Sequence, residues 1–372
     1  MPRAVQRPLL PSAHQLLPYL SRIDESRIYS NRGPLVELLE MRLSKLFGCP
    51  QLALITTSSG SSALEAAILA HAGQRTSQRP LAILPAYTFA GTAHSAIRCG
   101  YDILVMDVDA DTWMLNPESL TSHPDFERVG VVVPVAPHGS LPDITAWEKF
   151  QSDTNCPVVI DAAASFEQFK NGRARISATV PTSLSLHATK PFSTGEGGAV
   201  LCTSYDVLER VGRTINFGFD DDRNSKFAAL NGKMSEYQAA VGLAFLDNWD
   251  TLTGQRMSVS EQYHTCLSGC DLGRLVTQPQ IGSTYTLFDC RTSDIAKDLT
   301  RRLAENDVPH RFWYSSGLSG HYAFESGYFE PSPVTQDISV KHIGLPTMPD
   351  LDKAVITAIS ELILNSSACQ GD

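Results

Sequence analysis

Residues 183–203 read SLSLHATKPFSTGEGGAVLCT and place one lysine, Lys190, between two short apolar flanks. Ser183 to His187 and Gly198 to Cys202 have the length and alternation of strands, while Pro191, Gly195, Gly197 and Gly198 forbid a helix between them. A single loop lysine is ordinarily a solvated surface charge. Whatever chemistry Lys190 has must therefore come from what the rest of the chain brings beside it.

Outward from that stretch, strands and helices alternate. Residues 52–56 (LALIT), 81–86 (LAILPA), 102–109 (DILVMDVD), 130–136 (GVVVPVA) and 157–164 (PVVIDAAA) are apolar and rich in β-branched residues, which reads as strands. Helical spacing is expected over 35–46, 61–73, 88–98, 143–154, 235–249 and 252–268. Near-continuous apolar strands separated by helices predict an α/β fold with a mostly parallel central sheet flanked by helices on both faces. Functional side chains should then gather at the strand ends.

After about residue 250 the pattern changes to strands at RLVTQP and STYTLFDC with helices over 293–306 and 350–365, a smaller C-terminal α+β unit. Residues 1–34 are proline-rich with a few helical residues and read as an arm lying over something else. The expected division is thus an N-terminal arm over 1–34, a large domain over 35–250 and a small domain over 251–372.

Several other stretches could carry chemistry. In SSGSSAL, residues 58–64, a glycine among hydroxyl residues stands between a strand and a helix, where free backbone N–H groups suit a phosphate; the plainer role is a helix cap. Asp161 ends PVVID, and a carboxylate following four apolar residues needs a cation or hydrogen-bond donors to stay ionised. Phe89 in PAYTFAG could present its ring to a flat cofactor or simply fill the core. Ser185 lies five residues before Lys190, and Asn231–Gly232 reads locally as a tight turn. Taken in order, a phosphate cradle, an aromatic ring, a strand-end aspartate, then a serine and a lysine on a glycine-rich turn are the parts that pyridoxal 5′-phosphate requires.

The gross numbers exclude other classes. The 372 residues carry a net charge of -10, which opposes a nucleic-acid partner. Eight scattered cysteines form no CxxC pair, so neither a metal site nor a disulfide framework is expected, and a reducing cytoplasm fits best. No apolar run is long enough to span a bilayer, and prolines 2, 8, 11 and 18 interrupt any leader-like segment, so a soluble protein is expected.

The chain resembles the DegT/DnrJ/EryC1/StrS sugar aminotransferases, of the aspartate aminotransferase fold (fold type I), over nearly its whole length. The matching pieces are YSNRGP, SSGSSAL, PAYTFAGTA, GYDILVMDVDADTW, PVAPHGSLPDI, VVIDAAASF, SLHATKPFSTGEGGAV, LNGKMSEYQAAVGLAFL, VPHRFWY and LPTMPDL. The resemblance implies that Lys190 carries pyridoxal phosphate as a Schiff base, that Asp161 pairs with the ring nitrogen and that Phe89 stacks on the ring. It also implies that Gly60, Ser61 and Ser185 hold the phosphate, and that Asn231 reaches the phosphate of a neighbouring subunit in a homodimer with shared active sites. The implied reaction moves an amino group from an amino acid, by family habit L-glutamate, to a keto sugar; the NGKMSE wording looks like the branch acting on nucleotide-linked 4-keto-6-deoxy sugars.

The sequence departs from the family at Ser61 (commonly threonine), at Ala164 (often glutamine or histidine) and at Lys233 (often arginine). A dehydratase of the same family would lack the lysine. The alternatives left open are a cyclitol or other keto acceptor, and a non-catalytic cofactor-binding or regulatory protein of the same fold.

Overall fold

A computed structural model of the chain describes residues 1–2, 4–220, 223–277 and 282–366. Its strands are β1 (Leu54–Thr57), β2 (Leu81–Pro85), β3 (Asp102–Met106), β4 (Val129–Val132), β5 (Ile160–Asp161), β6 (Thr182–Ser185), β7 (Gly198–Leu201), β8 (Gly273–Leu275), β9 (Thr286–Cys290), β10 (Arg311–Phe312), β11 (Tyr328–Phe329) and β12 (His342–Leu345). Two four-stranded ladders, β1-β7-β6-β5 and β4-β2-β3-β11, are joined by parallel bridges from Val132 to Val158 and from Val135 to Asp161. The result is one layer in the order β1-β7-β6-β5-β4-β2-β3-β11. Only β7 runs against the others.

The unbroken apolar character of these strands follows from burial on both faces. Along β2, Leu81 and Ile83 enter a core shared with Leu39, Trp147, Phe166 and Phe192, whereas Ala82 and Leu84 enter a second core with Ala66, Ala67, Ala96 and Val211. Strand period 2 sorts neighbouring residues to opposite sides, so every position must be apolar. The helix Gly60–His71 is built largely of alanine where it crosses the sheet, which lets it lie close over β6 and β7.

A second sheet, β10-β12-β9-β8, is antiparallel throughout. It packs with helices Trp249–Cys266, Ser293–Glu305 and Lys353–Leu364 around Tyr263, Phe288, Leu299 and Ile359. Arg256 of the first of these helices pairs with Glu167 at 3.2 Å, both side chains 3% exposed, and also donates to the Gly282 carbonyl. A buried pair of this kind fixes how elements dock more than it adds net stability.

The N-terminal region is more ordered than its prolines suggest. Ala13–Ser26 is one α-helix with Pro18 inside it, lying on the helix Glu236–Asp247, where the Tyr19 hydroxyl donates to Asp247 at 2.7 Å. One lost N–H bond is tolerated because Tyr19, Leu20 and Ile23 still pack on the core. The next helix, Pro34–Leu46, starts on a remote cap: the Glu236 carboxylate accepts from the N–H groups of Leu35 (2.8 Å) and Val36 (2.9 Å). The helix Tyr205–Thr214 and strands β10, β11 and β12 were likewise not anticipated from periodicity. Part of the expected RLVTQP strand, residues 278–279, lies outside the described residues. Among the described residues no helix is long and apolar enough to cross a membrane.

Candidate active site

The turn carrying Lys190 extends the β6–β7 hairpin. Leu186 N–H donates to Gly197 O, Ala188 N–H to Gly195 O and Thr194 N–H to Leu186 O, all within 2.8–2.9 Å. Gly195, at φ +84°, makes the left-handed step this loop needs. The loop is therefore a fixed scaffold, and the half-buried Lys190 points its amine at Tyr285, donating to the phenolic oxygen at 3.0 Å.

Lys190 opens on a cavity of about 460 Å³ whose walls also include Gly60, Ser61, Phe89, Thr92, Asp161, Ser185, Tyr285, Arg311, Trp313 and Tyr314. Six of the seven expected site residues thus meet in one space: Gly60, Ser61, Phe89, Asp161, Ser185 and Lys190. Asn231 does not join them. It lines a neighbouring polar cavity with Ser59, Ser61, His94 and Arg98.

At the floor, Asp161 stands at the C-terminal end of β5 and is buried. Burial pushes its carboxyl pKa above the usual range, opposed by the Thr92 hydroxyl donating to Oδ2 at 2.8 Å, by the Ala163 N–H donating to Oδ1 at 3.2 Å, and by the charge of Lys190. Two donors aimed at a buried carboxylate favour its ionised form, and the open side faces the cavity. Such a carboxylate suits a protonated nitrogen.

At one end of the cavity the helix Gly60–His71 begins. Ser59 caps it, taking the Ser62 N–H on its side chain and the Ala63 N–H on its carbonyl, while the amides of Gly60 and Ser61 have no intrahelical acceptor. A Cβ on Gly60 would come within 2.7 Å of Ser185 Cβ, so glycine is what lets the helix start so near the Ser185 hydroxyl. The two amides, that hydroxyl and the helix dipole form a cradle for an anion. Phe89, 66% exposed, is a cavity wall rather than core. These residues fit pyridoxal phosphate: a lysine for its aldehyde, a carboxylate for its ring nitrogen and an anion cradle for its phosphate.

Of the supporting residues, Thr92 and Tyr285 do not stand out in the sequence. Thr92 stands one helical turn after Phe89 inside PAYTFAGTA, and that spacing could have placed it beside the strand ends. Tyr285 sits in a plain strand pattern, whereas Trp313 and Tyr314 admit both stacking on a base and the plainer role of core packing. Behind them His138 stacks on Tyr314 with centroids 4.9 Å apart; burial, then the charges of His342 and Lys190, push its pKa down to about 3, so it stays neutral.

Replacing Tyr285 by phenylalanine deletes only the acceptor for the Lys190 amine. The expected result is a kcat lowered about tenfold, or ~1.4 kcal/mol, with KM for the amino donor changed less. A kcat within twofold of the parent would leave Tyr285 no role beyond shaping the wall.

The same architecture recurs in solved structures. A Bacillus cereus protein assigned as a PLP-dependent aminotransferase is 27% identical, with a TM-score of 0.88 over 97% of this chain and 99% of that one. The structure of DesI with its TDP-sugar product is 25% identical, with a TM-score of 0.85 over 97% and 92%. The fold and the lysine–aspartate cavity together define an aminotransferase of fold type I. Residues 12–364 match the DegT/DnrJ/EryC1/StrS aminotransferase family, and the chain belongs to it. Among its relatives, the Mycobacterium tuberculosis protein Rv3402c is 29% identical over 95% of this chain and 89% of its own. The dTDP-4-amino-4,6-dideoxy-D-glucose transaminase of Shigella dysenteriae is 32% identical over 70% and 69%.

Proposed function

We propose that the chain is a pyridoxal phosphate-dependent aminotransferase that moves an amino group from L-glutamate to a nucleotide-linked 4-keto-6-deoxy sugar. The observation that carries this is the meeting of Lys190, Asp161 and the Gly60–Ser61 amides in one cavity. The acceptor class rests on the relatives, of which the Shigella enzyme is named for a dTDP-linked amino sugar and DesI holds a TDP-sugar product. Aromatic walls at Phe89, Trp313 and Tyr314 suit a large ligand with flat parts.

Pyridoxal phosphate, when bound, supplies the electron sink that lets an amino acid α-carbon release its proton. Lys190 would hold the cofactor and, once freed as an amine, carry that proton, with the Tyr285 hydroxyl fixing the amine's position. Asp161 would keep a proton on the ring nitrogen, and the Thr92 and Ala163 donors favour its charged form against the opposing effect of burial. Gly60, Ser61 and Ser185 would grip the phosphate, and Phe89 would cover the ring.

The reading takes residues 35–250 as the cofactor-holding unit and 251–372 as the unit contributing Tyr285, Arg311, Trp313 and Tyr314 to its wall. It also takes the working form as a homodimer, in keeping with Asn231 lying off its own cavity. Adding L-glutamate to the purified holoprotein should bleach the cofactor's visible absorbance, and adding a dTDP-linked 4-keto-6-deoxy sugar should restore it. No bleaching overturns the donor; bleaching with no recovery overturns the acceptor.

A further inference from the structure

Arg311 is the only guanidinium among the described residues that lines this cavity, and it is exposed there. Acidic residues outnumber basic ones 40 to 30 in the chain, yet no carboxylate among the described residues pairs with Arg311. Its partner is a ring: the guanidinium lies over Trp313, 4.7 Å from the centroid.

That arrangement is built into the small sheet. Arg311 stands opposite Gly344 in the β10–β12 ladder, and a Cβ on Gly344 would come within 2.4 Å of the Trp313 indole nitrogen. Glycine therefore lets the indole lie against β12, while the Tyr87 hydroxyl holds the Trp313 carbonyl at 2.5 Å. The indole in turn meets Tyr285 edge-on, with centroids 5.6 Å apart at 77°, and Tyr285 accepts from Lys190. Arg311, Trp313, Tyr285 and Lys190 form one contiguous row.

We infer that Arg311, stacked on Trp313, docks an anionic oxygen group of a substrate, a carboxylate or a phosphate, and so sets where the reacting carbon stands relative to Lys190. This rests on the aminotransferase reading above. A guanidinium can fork onto two oxygens while keeping its face on an indole, which an ammonium cannot do. The anion has two sources, the α-carboxylate of the amino donor and the diphosphate of a nucleotide-linked acceptor.

The test uses the parent holoprotein with Arg311→Gln and Arg311→Lys. One arm titrates L-glutamate against the cofactor's visible band; the other titrates thymidine 5′-diphosphate by calorimetry, with no reaction involved. Arg311→Gln should weaken at least one arm by about fivefold or more at unchanged cofactor loading, and Arg311→Lys should recover only part of the loss. Loss with glutamate alone identifies the carboxylate, loss with thymidine diphosphate alone the phosphate, and loss in both a single anion site used in turn. Gly344→Ala, which keeps the charge but displaces the indole, should weaken the same arm. Less than a fivefold change in both arms, or a parent that responds to neither probe, overturns the inference. If thymidine diphosphate binds through Arg311 but no nucleotide-linked keto sugar is aminated, the acceptor proposal fails and the docking role stands.

Discussion

Lys190→Ala is expected to lower steady-state amination by about 10⁴-fold or more, equivalent to roughly 5.5 kcal/mol of barrier, while leaving the protein folded. The alanine removes both the amine that would hold the cofactor and the group that would move the proton. No other lysine lines the cavity among the described residues, and its remaining nitrogen-bearing side chains are Gln6, His187, Arg311 and Trp313, whose indole nitrogen is not basic. His187 is turned to its own loop, with Nδ1 at 3.0 Å from Thr189 Oγ1 and Nε2 at 3.7 Å from Glu196. It is in no position to take over.

Stability should change by no more than about 0.5 kcal/mol, because the turn is held by backbone bonds and Lys190 is only half-buried. Thermal melting of the apoproteins separates the two effects. A free primary amine such as methylamine should restore a small fraction of turnover by serving as the missing proton carrier. Retained parental turnover in the variant would rule out the role proposed for this lysine.

Lys190 could be suspected from its turn but not established from it. The turn is legible locally, since prolines and glycines between two apolar runs leave few other conformations. The sheet was equally legible, because burial on both faces writes itself into the sequence as unbroken β-branched runs. Contacts made across long separations were not. Tyr285 reaches Lys190 from 95 residues away, Thr92 reaches Asp161 from 69, and Glu236 caps a helix 201 residues earlier. None of these pairings leaves a periodic trace. The helix Ala13–Ser26 was hidden for a different reason, since Pro18 weighs heavily in any local reading while the packing that overrides it comes from residues more than 200 positions on. Phe89, Trp313 and Tyr314 show the ambiguity of aromatic residues, for which core and cavity wall look alike until exposure is known.

Asp161→Asn separates function from stability in the opposite direction. The amide is nearly isosteric and can still accept from Thr92, so the fold should persist, but the negative charge at the cavity floor is gone. Amination should fall by about 10²–10³-fold, or ~2.7–4 kcal/mol, the range for removing one preorganised electrostatic partner of a developing charge. A rate within about threefold of the parent, or ~0.7 kcal/mol, would contradict the role proposed for Asp161.

Stability responds to pH for a related reason. Burial raises the folded-state pKa of Asp161 above its unfolded value, so the ionised carboxylate opposes folding of the apoprotein. The parent therefore loses stability as pH rises from the unfolded carboxylate range through the raised folded value, whereas the asparagine variant has no such loss. Apo Asp161→Asn should match or exceed the apo parent in melting temperature at neutral pH, and its advantage should shrink as pH falls toward the ordinary carboxylate range. A protonated ring nitrogen placed against Asp161 would offset the cost of its buried charge, so saturating cofactor should raise the melting temperature of the parent more than that of the variant. An equal rise in both proteins would mean that Asp161 does not meet the cofactor's charge.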